Sequence, residues 1–283
     1  MLMAALLPAS AATKKKSSAS ATEPQPTPAL APPSLDPSGG VPATHAASAL
    51  VQDAVSGKIM YEKNADARRS PASTQKLLTA LLIVEAGDLN KKVVVEKEDT
   101  EVEPVKLGFK PGEVYTRREL LRVMLVHSVN DVAYCLARDN AGSVEAFAEK
   151  MNAKARALGM KSSHFVNPNG LPAPGQYSTA RDMARLASAA YQSATIRTIV
   201  ATQSLFFQFA DGRVQEFKNT NLILGAFPSC TGMKTGYTQA AGHCLISSGS
   251  NNGREVIAVV LGDNKRSWLW QDSWSLLAWG LSL

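Results

Sequence analysis

The hydrophobic period of this chain changes twice, and that change limits the folds open to it. From about Val93 to Tyr191 apolar residues recur mostly at helical spacing, in segments from Thr116 to Val126, Asp131 to Asp139, Val144 to Leu158 and Ala180 to Tyr191. Outside that stretch the apolar residues form short β-like runs. Before it, Ala49 to Asp53 and Lys58 to Glu62 flank Val55-Ser56-Gly57, a hairpin signal. After it come Ser204 to Phe209, Gly232 to Tyr237, Gly242 to Ser248 and Glu255 to Leu261, joined by turns at Asp211-Gly212, Gln239-Ala240-Ala241 and Asn251-Asn252-Gly253. A last helix spans about Ser267 to Trp279. Strands at both ends of a chain with helices between them predict one sheet completed by both ends. The reading is α/β with two lobes: residues 46–90 and 200–283 form the α/β lobe, and 91–199 form a helical lobe.

The first 45 residues stand apart. Met1 to Ala12 is a short apolar run, and the stretch from Thr13 to Pro42 is mostly Lys, Ser, Thr, Ala and Pro. Such a segment buries too little apolar surface to offset its ordering entropy, so it reads as a disordered tether with polyproline character. Ala9-Ser10-Ala11 is a small-x-small cleavage pattern, although no basic n-region precedes it. We read it as a signal remnant and expect export to the periplasm or cell envelope. No apolar run approaches the roughly 20 residues that span a bilayer. Trp270, Trp274, Leu277 and Leu281 share one face of the last helix, and with no basic residue after Arg266 that face is expected on a sheet rather than on lipid.

Composition excludes several classes of function. The net charge of +6 is partly carried by Lys14, Lys15 and Lys16, and the other basic residues are dispersed, so no nucleic-acid stripe is expected. Cys135, Cys230 and Cys244 lack metal-ligand spacing, and four scattered histidines add none; no metal or cofactor is predicted. Cys230 and Cys244 fall out of register on their strands, which predicts buried thiols rather than a bond.

Three short strings carry chemistry: Ser73-Thr74-Gln75-Lys76, Ser128-Val129-Asn130 and Lys234-Thr235-Gly236. A serine hydroxyl needs a base, and residues three apart on a helix share a face, so Lys76 can reach Ser73. Leu77, Leu78, Leu81, Leu82 and Val84 come next at helical spacing until Gly87, so Ser73 is expected to open a buried amphipathic helix. There its N–H and the helix dipole would face a developing oxyanion. Lys76 can accept a proton only if burial and a second cation such as Lys234 lower its pKa. Ser128 and Asn130 are placed in a tight interhelical connection, as a proton relay and a positioning amide. On a strand, Lys234 and Thr235 can hold a substrate carboxylate, Gly236 admits another backbone, and the Tyr237 N–H is a second oxyanion donor.

Singly these strings are weak. Ser-x-x-Lys occurs by chance about once in a few hundred residues, and Ser250-Asn251-Asn252 repeats the second string in a turn, where it has no role. Their order and their placement on helix start, corner and strand give them weight. His127 and His243 are read as structural, with His243 near the cleft.

With Ser70-Pro71-Ala72-Ser73-Thr74-Gln75-Lys76-Leu77-Leu78-Thr79, Asn167-Pro168-Asn169-Gly170-Leu171, Tyr177-Ser178-Thr179-Ala180 and Gly232 to Thr238, the chain from Ala46 to Leu283 resembles the serine-type D-alanyl-D-alanine carboxypeptidases. These are the low-molecular-mass penicillin-binding proteins. The resemblance implies a β-lactamase/transpeptidase-like fold, with an antiparallel five-stranded sheet, flanking helices and a helical lobe. It implies cleavage of the terminal D-Ala-D-Ala bond of peptidoglycan stem peptides, or of a cross-link, through an acyl-serine. Ser73 is then nucleophile, Lys76 base, Ser128 and Asn130 the relay and positioning pair, and Lys234 with Thr235 the carboxylate clamp; β-lactams should acylate Ser73.

Two departures stand out. Val129 is bulkier than the small residue usual at that position and is expected to reshape the pocket wall. The chain also stops at Leu283, so the C-terminal β domain and amphipathic anchor of some relatives are not expected. A class A β-lactamase would add Glu-x-x-Leu-Asn, which the insert does not show. A penicillin-sensing or peptidoglycan-binding module would need a transmembrane partner segment, and none is visible. Carboxypeptidase and D,D-endopeptidase activities share this chemistry and are not separated by it.

Overall fold

The computed structural model describes residues 30–34, 38–102 and 104–283. Most of the expected tether, and its signal-like start, lie outside the described residues. In chain order the elements begin with β1 (Ser48–Asp53), β2 (Ile59–Lys63), a 3-10 turn (Ala72–Gln75), α1 (Lys76–Glu85), β3 (Lys92–Val94) and β4 (Val114–Thr116). Next come α2 (Arg117–His127), α3 (Asn130–Ala141), α4 (Val144–Ala157), α5 (Ala180–Gln192) and α6 (Ala194–Val200). The chain finishes with β5 (Ser204–Gln208), β6 (Val214–Lys218), α7 (Ile223–Ala226), β7 (Cys230–Thr238), β8 (Gly242–Asn251), β9 (Arg254–Asp263) and α8 (Arg266–Ser282).

Both chain ends build one antiparallel five-stranded sheet in the order β2-β1-β9-β8-β7. Its two faces meet two cores, and the period of two decides which side chain goes where. On β9, Ile257, Val259 and Leu261 face the helices, while Val256, Ala258 and Val260 face α8. Burial on both sides explains why β9 reads as a continuous apolar run rather than an alternating one. Trp270, Trp274, Leu277 and Leu281 of α8 are buried on that second face, the sheet packing expected of them. No helix among the described residues is long and apolar enough to cross a membrane.

The helices differ from expectation in informative ways. α1 is not amphipathic: Lys76 to Leu81 and Ile83 are all buried, because the helix runs through the centre of the helical lobe, surrounded by α2 to α6. A division at residue 90 would assign it to the sheet lobe; its packing places it among the helices. Ser204 to Phe209 does contain a strand, yet β5 pairs only with β6 in a separate ribbon lying on α2. The short ribbon of β3 and β4 sits in the stretch read as mostly helical. Strands of three residues carry no period to detect.

The ordered body also begins before Ala46. The Thr44 hydroxyl and the N–H groups of His45 and Ala46 all donate to Asp272 Oδ2 on α8, and the Trp279 indole donates to Gly39 O at 3.0 Å. All three cysteines are free and buried. Cys230 pairs with Gly249 and Cys244 with Gly236, so the two never face each other.

Candidate active site

Ser73 lies in the 3-10 turn ahead of α1 rather than in the helix itself, so the reactive position is a tight turn feeding a central helix. The turn is locked from outside. The Gln75 side chain donates to Asn167 O at 2.5 Å and the Thr79 hydroxyl to Pro168 O at 2.6 Å, tying it to the loop from Asn167 to Leu171. Gly170, with φ +86°, lies so close that a Cβ there would sit 2.1 Å from Ala72 O.

Lys76 comes one turn later and is completely buried. Its Nζ lies 2.7 Å from Ser73 Oγ, 2.7 Å from Asn130 Oδ1 and 2.8 Å from Asn169 O. Burial pushes its pKa well below the usual lysine value, and the charge of Lys234 pushes the same way; Asp131 opposes them. Asp131 is held by the N–H groups of Leu107 and Gly108, and burial raises its own pKa.

The capping box of α2 at Thr116 and Glu119 starts a helix that ends at Ser128, in the left-handed conformation with φ 69°. That reversal separates α2 from α3 and turns Ser128 into the cleft while Asn130 begins the next helix. Asn130 Nδ2 donates to Pro104 O, leaving its Oδ1 for Lys76. Val129, expected in the pocket wall, instead points into the core with no exposed surface. As the residue between two helices it packs inward, so its size does not shape the cleft.

β7 is one of the two edge strands of the sheet, and half the N–H and C=O groups of an edge strand are left for another chain. Gly236 stands beside Ser73: a Cβ there would lie 2.8 Å from the Ser73 N. Lys234 is fully buried behind the strand and donates to Thr235 O at 3.1 Å; burial lowers its pKa to about 7. The cleft surface at this end is made by the Thr235 and Thr220 hydroxyls, 2.6 Å apart, rather than by the ammonium. Tyr237 is exposed and stacks on His243 at 4.4 Å, and both line the cleft. His127 also lines it, with its Nδ1 3.0 Å from Lys218 O.

Thus the structure gathers Ser73, Ser128, Asn130, Thr235, Gly236 and Tyr237 along one cavity of about 550 Å³, with Lys76 and Lys234 buried behind its walls. Two contributors were not singled out from the sequence as site residues. Asn169 acts through its carbonyl, which any residue supplies, and Thr220 lies 15 residues from its partner, in no motif. Among the described residues no three His, Cys, Asp or Glu side chains gather as metal ligands.

Known proteins are similar to this chain in sequence and fold. The D-alanyl-D-alanine carboxypeptidase family profile matches residues 37–265. D-alanyl-D-alanine carboxypeptidase DacB2 of Mycobacterium tuberculosis is 36% identical over 256 residues, covering 88% of this chain and 87% of that protein. DacF of Bacillus subtilis is also 36% identical, over 225 residues that make up 78% of this chain and 58% of DacF. The crystal structure of the Streptomyces K15 DD-transpeptidase superposes with a TM-score of 0.82 at 29% identity, covering 86% of this chain and all (100%) of that one. With a buried lysine on its serine and this extent of shared sequence, the chain belongs to the serine-type D-alanyl-D-alanine carboxypeptidase family.

Proposed function

We propose that the protein is a D-alanyl-D-alanine carboxypeptidase that removes the terminal D-alanine of peptidoglycan stem peptides through an acyl-Ser73 intermediate. The observation that carries this reading is the environment of Lys76 Nζ. Of its three partners, Asn130 Oδ1 and Asn169 O can only accept hydrogen bonds. A neutral amine has two protons and one lone pair; with both protons so engaged, the lone pair faces Ser73 Oγ at 2.7 Å.

Lys76 then takes the hydroxyl proton as Oγ attacks the penultimate D-alanine carbonyl. The N–H groups of Ser73 and Tyr237 receive the oxyanion. Ser128 passes a proton to the leaving amine, the C–N bond breaks, and D-alanine departs with its carboxylate at Thr235 and Thr220, in the field of Lys234. Water, deprotonated by the same lysine, releases the shortened peptide. A β-lactam presents an equivalent carbonyl and carboxylate and acylates Ser73. Action on such a substrate supports a location outside the cytoplasm, in the periplasm or cell envelope, and the small-x-small pattern Ala9-Ser10-Ala11 supports the same reading.

Purified protein should be labelled by a fluorescent penicillin, Ser73→Ala should not, and D-alanine should be released from a pentapeptide. Absence of labelling in the wild type would sink the reading. Cleavage of cross-linked muropeptides without release of D-alanine would make it an endopeptidase.

A further inference from the structure

The cavity does not end at Ser73. Thr235 and Thr220 line it, and so do His243, Arg266 and Trp270. In the sheet Tyr237, two residues past Thr235, pairs with His243, and His243 pairs with Asp263, three residues before Arg266. Direction along β7 decides which part of a peptide meets which group. The strand rises by about 3.3 Å per residue, so a peptide with its terminal carboxylate at Thr235 brings the attacked carbonyl level with Gly236, beside Ser73. Its acyl part must then pass Tyr237.

Beyond Tyr237 the wall combines a flat aromatic surface with an unused charge. The rings of Tyr237 and His243 are stacked 25° from parallel. Arg266 is exposed, no carboxylate among the described residues forms an ion pair with it, and its guanidinium carbon lies 5.8 Å from the Trp270 ring. Arg117, Arg138 and Arg181, by contrast, are held by carboxylates. Burial, and then Arg266, push the His243 pKa below the ordinary 6.5, which disfavours a second positive charge there. Arg266 also does nothing for its helix: it opens α8, with Lys265 as N-cap and no acid in the first turn, where the dipole disfavours cations.

We propose that Tyr237, His243 and Arg266 form an acyl-side subsite that recognises a free carboxylate on the stem peptide upstream of the cleaved bond. The peptide stem lies on the Tyr237–His243 surface and Arg266 binds the carboxylate, acting as a specificity residue rather than a catalytic one. This rests on the carboxypeptidase reading. Two positions can supply such a group: the side chain of the third residue and the α-carboxylate of a γ-linked second residue.

The test compares four pentapeptides: one with both carboxylates free, one amidated at the third residue, one amidated at the second, and one with lysine third. The wild type should prefer the fully acidic peptide over one of its amides by about tenfold in kcat/KM, the range of a charge-assisted hydrogen bond at an exposed site. The amide that loses activity identifies the position. Arg266→Gln should bring that ratio to about one, Arg266→Lys should restore part of it, and high salt should shrink it. A wild-type ratio near one for both amides, or a ratio unchanged in Arg266→Gln, would overturn the subsite and leave the carboxypeptidase intact. Release of D-alanine from none of the four peptides would overturn both.

Discussion

Removing one proton from Lys76 turns a fully bonded ammonium into a base aimed at Ser73, so the two lysines of the site make opposite demands on pH. Lys76 must be neutral, which burial and Lys234 favour. Lys234 must be charged to attract a carboxylate, yet its own burial brings its pKa to about 7. The apparent kcat/KM for a carboxylate-bearing substrate should therefore be bell-shaped. The rate rises as Lys76 loses its proton and falls near pH 7 as Lys234 loses its own, the two titrations being coupled. Lys234→Arg, whose guanidinium stays charged, should move the alkaline limb above about pH 9. A limb that stays in place in that variant would assign it to another group. Lys76→Ala should slow acylation by about 10² to 10⁴, the usual scale for general-base catalysis.

At the scale of elements, the site depends on how closely the loop from Asn167 to Leu171 approaches the 3-10 turn. Gly170 and Gly175 both have positive φ, but only Gly170 faces backbone: its Cβ would lie 2.1 Å from Ala72 O and 2.8 Å from Ser73 N, whereas the nearest atom to one at Gly175 is 3.9 Å away. Gly175→Ala should cost about 1–2 kcal/mol of stability, the strain of the left-handed conformation alone. Gly170→Ala adds a clash that displaces Ser73, and penicillin acylation should slow by about 10². Urea unfolding together with acylation rates separates the two; equal acylation by both variants would mean that the loop does not position the serine. The loop's tie to the turn could not be read from hydrophobic period, because it runs through carbonyls and glycine space.

The whole molecule is joined by a buried acidic pair. Asp272 of α8 holds Thr44, His45 and Ala46, and Lys63 donates to Thr44 O at 2.8 Å. Asp263, at the end of β9, is buried, no group among the described residues donates to its oxygens, and Asp272 lies near enough to act on its charge. Burial, and then Asp272, push its pKa from 3.8 to about 7, against the pull of His45 and Lys63. A raised carboxyl pKa means that the folded state holds more protons than the unfolded one between about pH 4 and 7, so stability falls as pH rises through that window. Asp263→Asn should flatten the dependence and raise the unfolding free energy at pH 8 by about 2 kcal/mol. Thermal unfolding at pH 5 and pH 8 checks this, and an unchanged pH slope would count against it.

By itself the sequence determined the class of structure and the chemistry it can carry. Strand runs at both ends predict one shared sheet, the spacing of Ser73 and Lys76 sets a hydroxyl beside an amine, and the order of the three strings points to the reaction type, because period and helical spacing are local properties. Tertiary structure decided what depends on neighbours distant in sequence. It placed α1 among the helices, turned Val129 inward, buried Lys234 behind Thr235, and drew Asn169, Thr220 and Arg266 to the cleft. The physical reason is that burial, lowered pKa values and the far end of a cavity belong to contacts across the fold, and no window of the chain contains both partners.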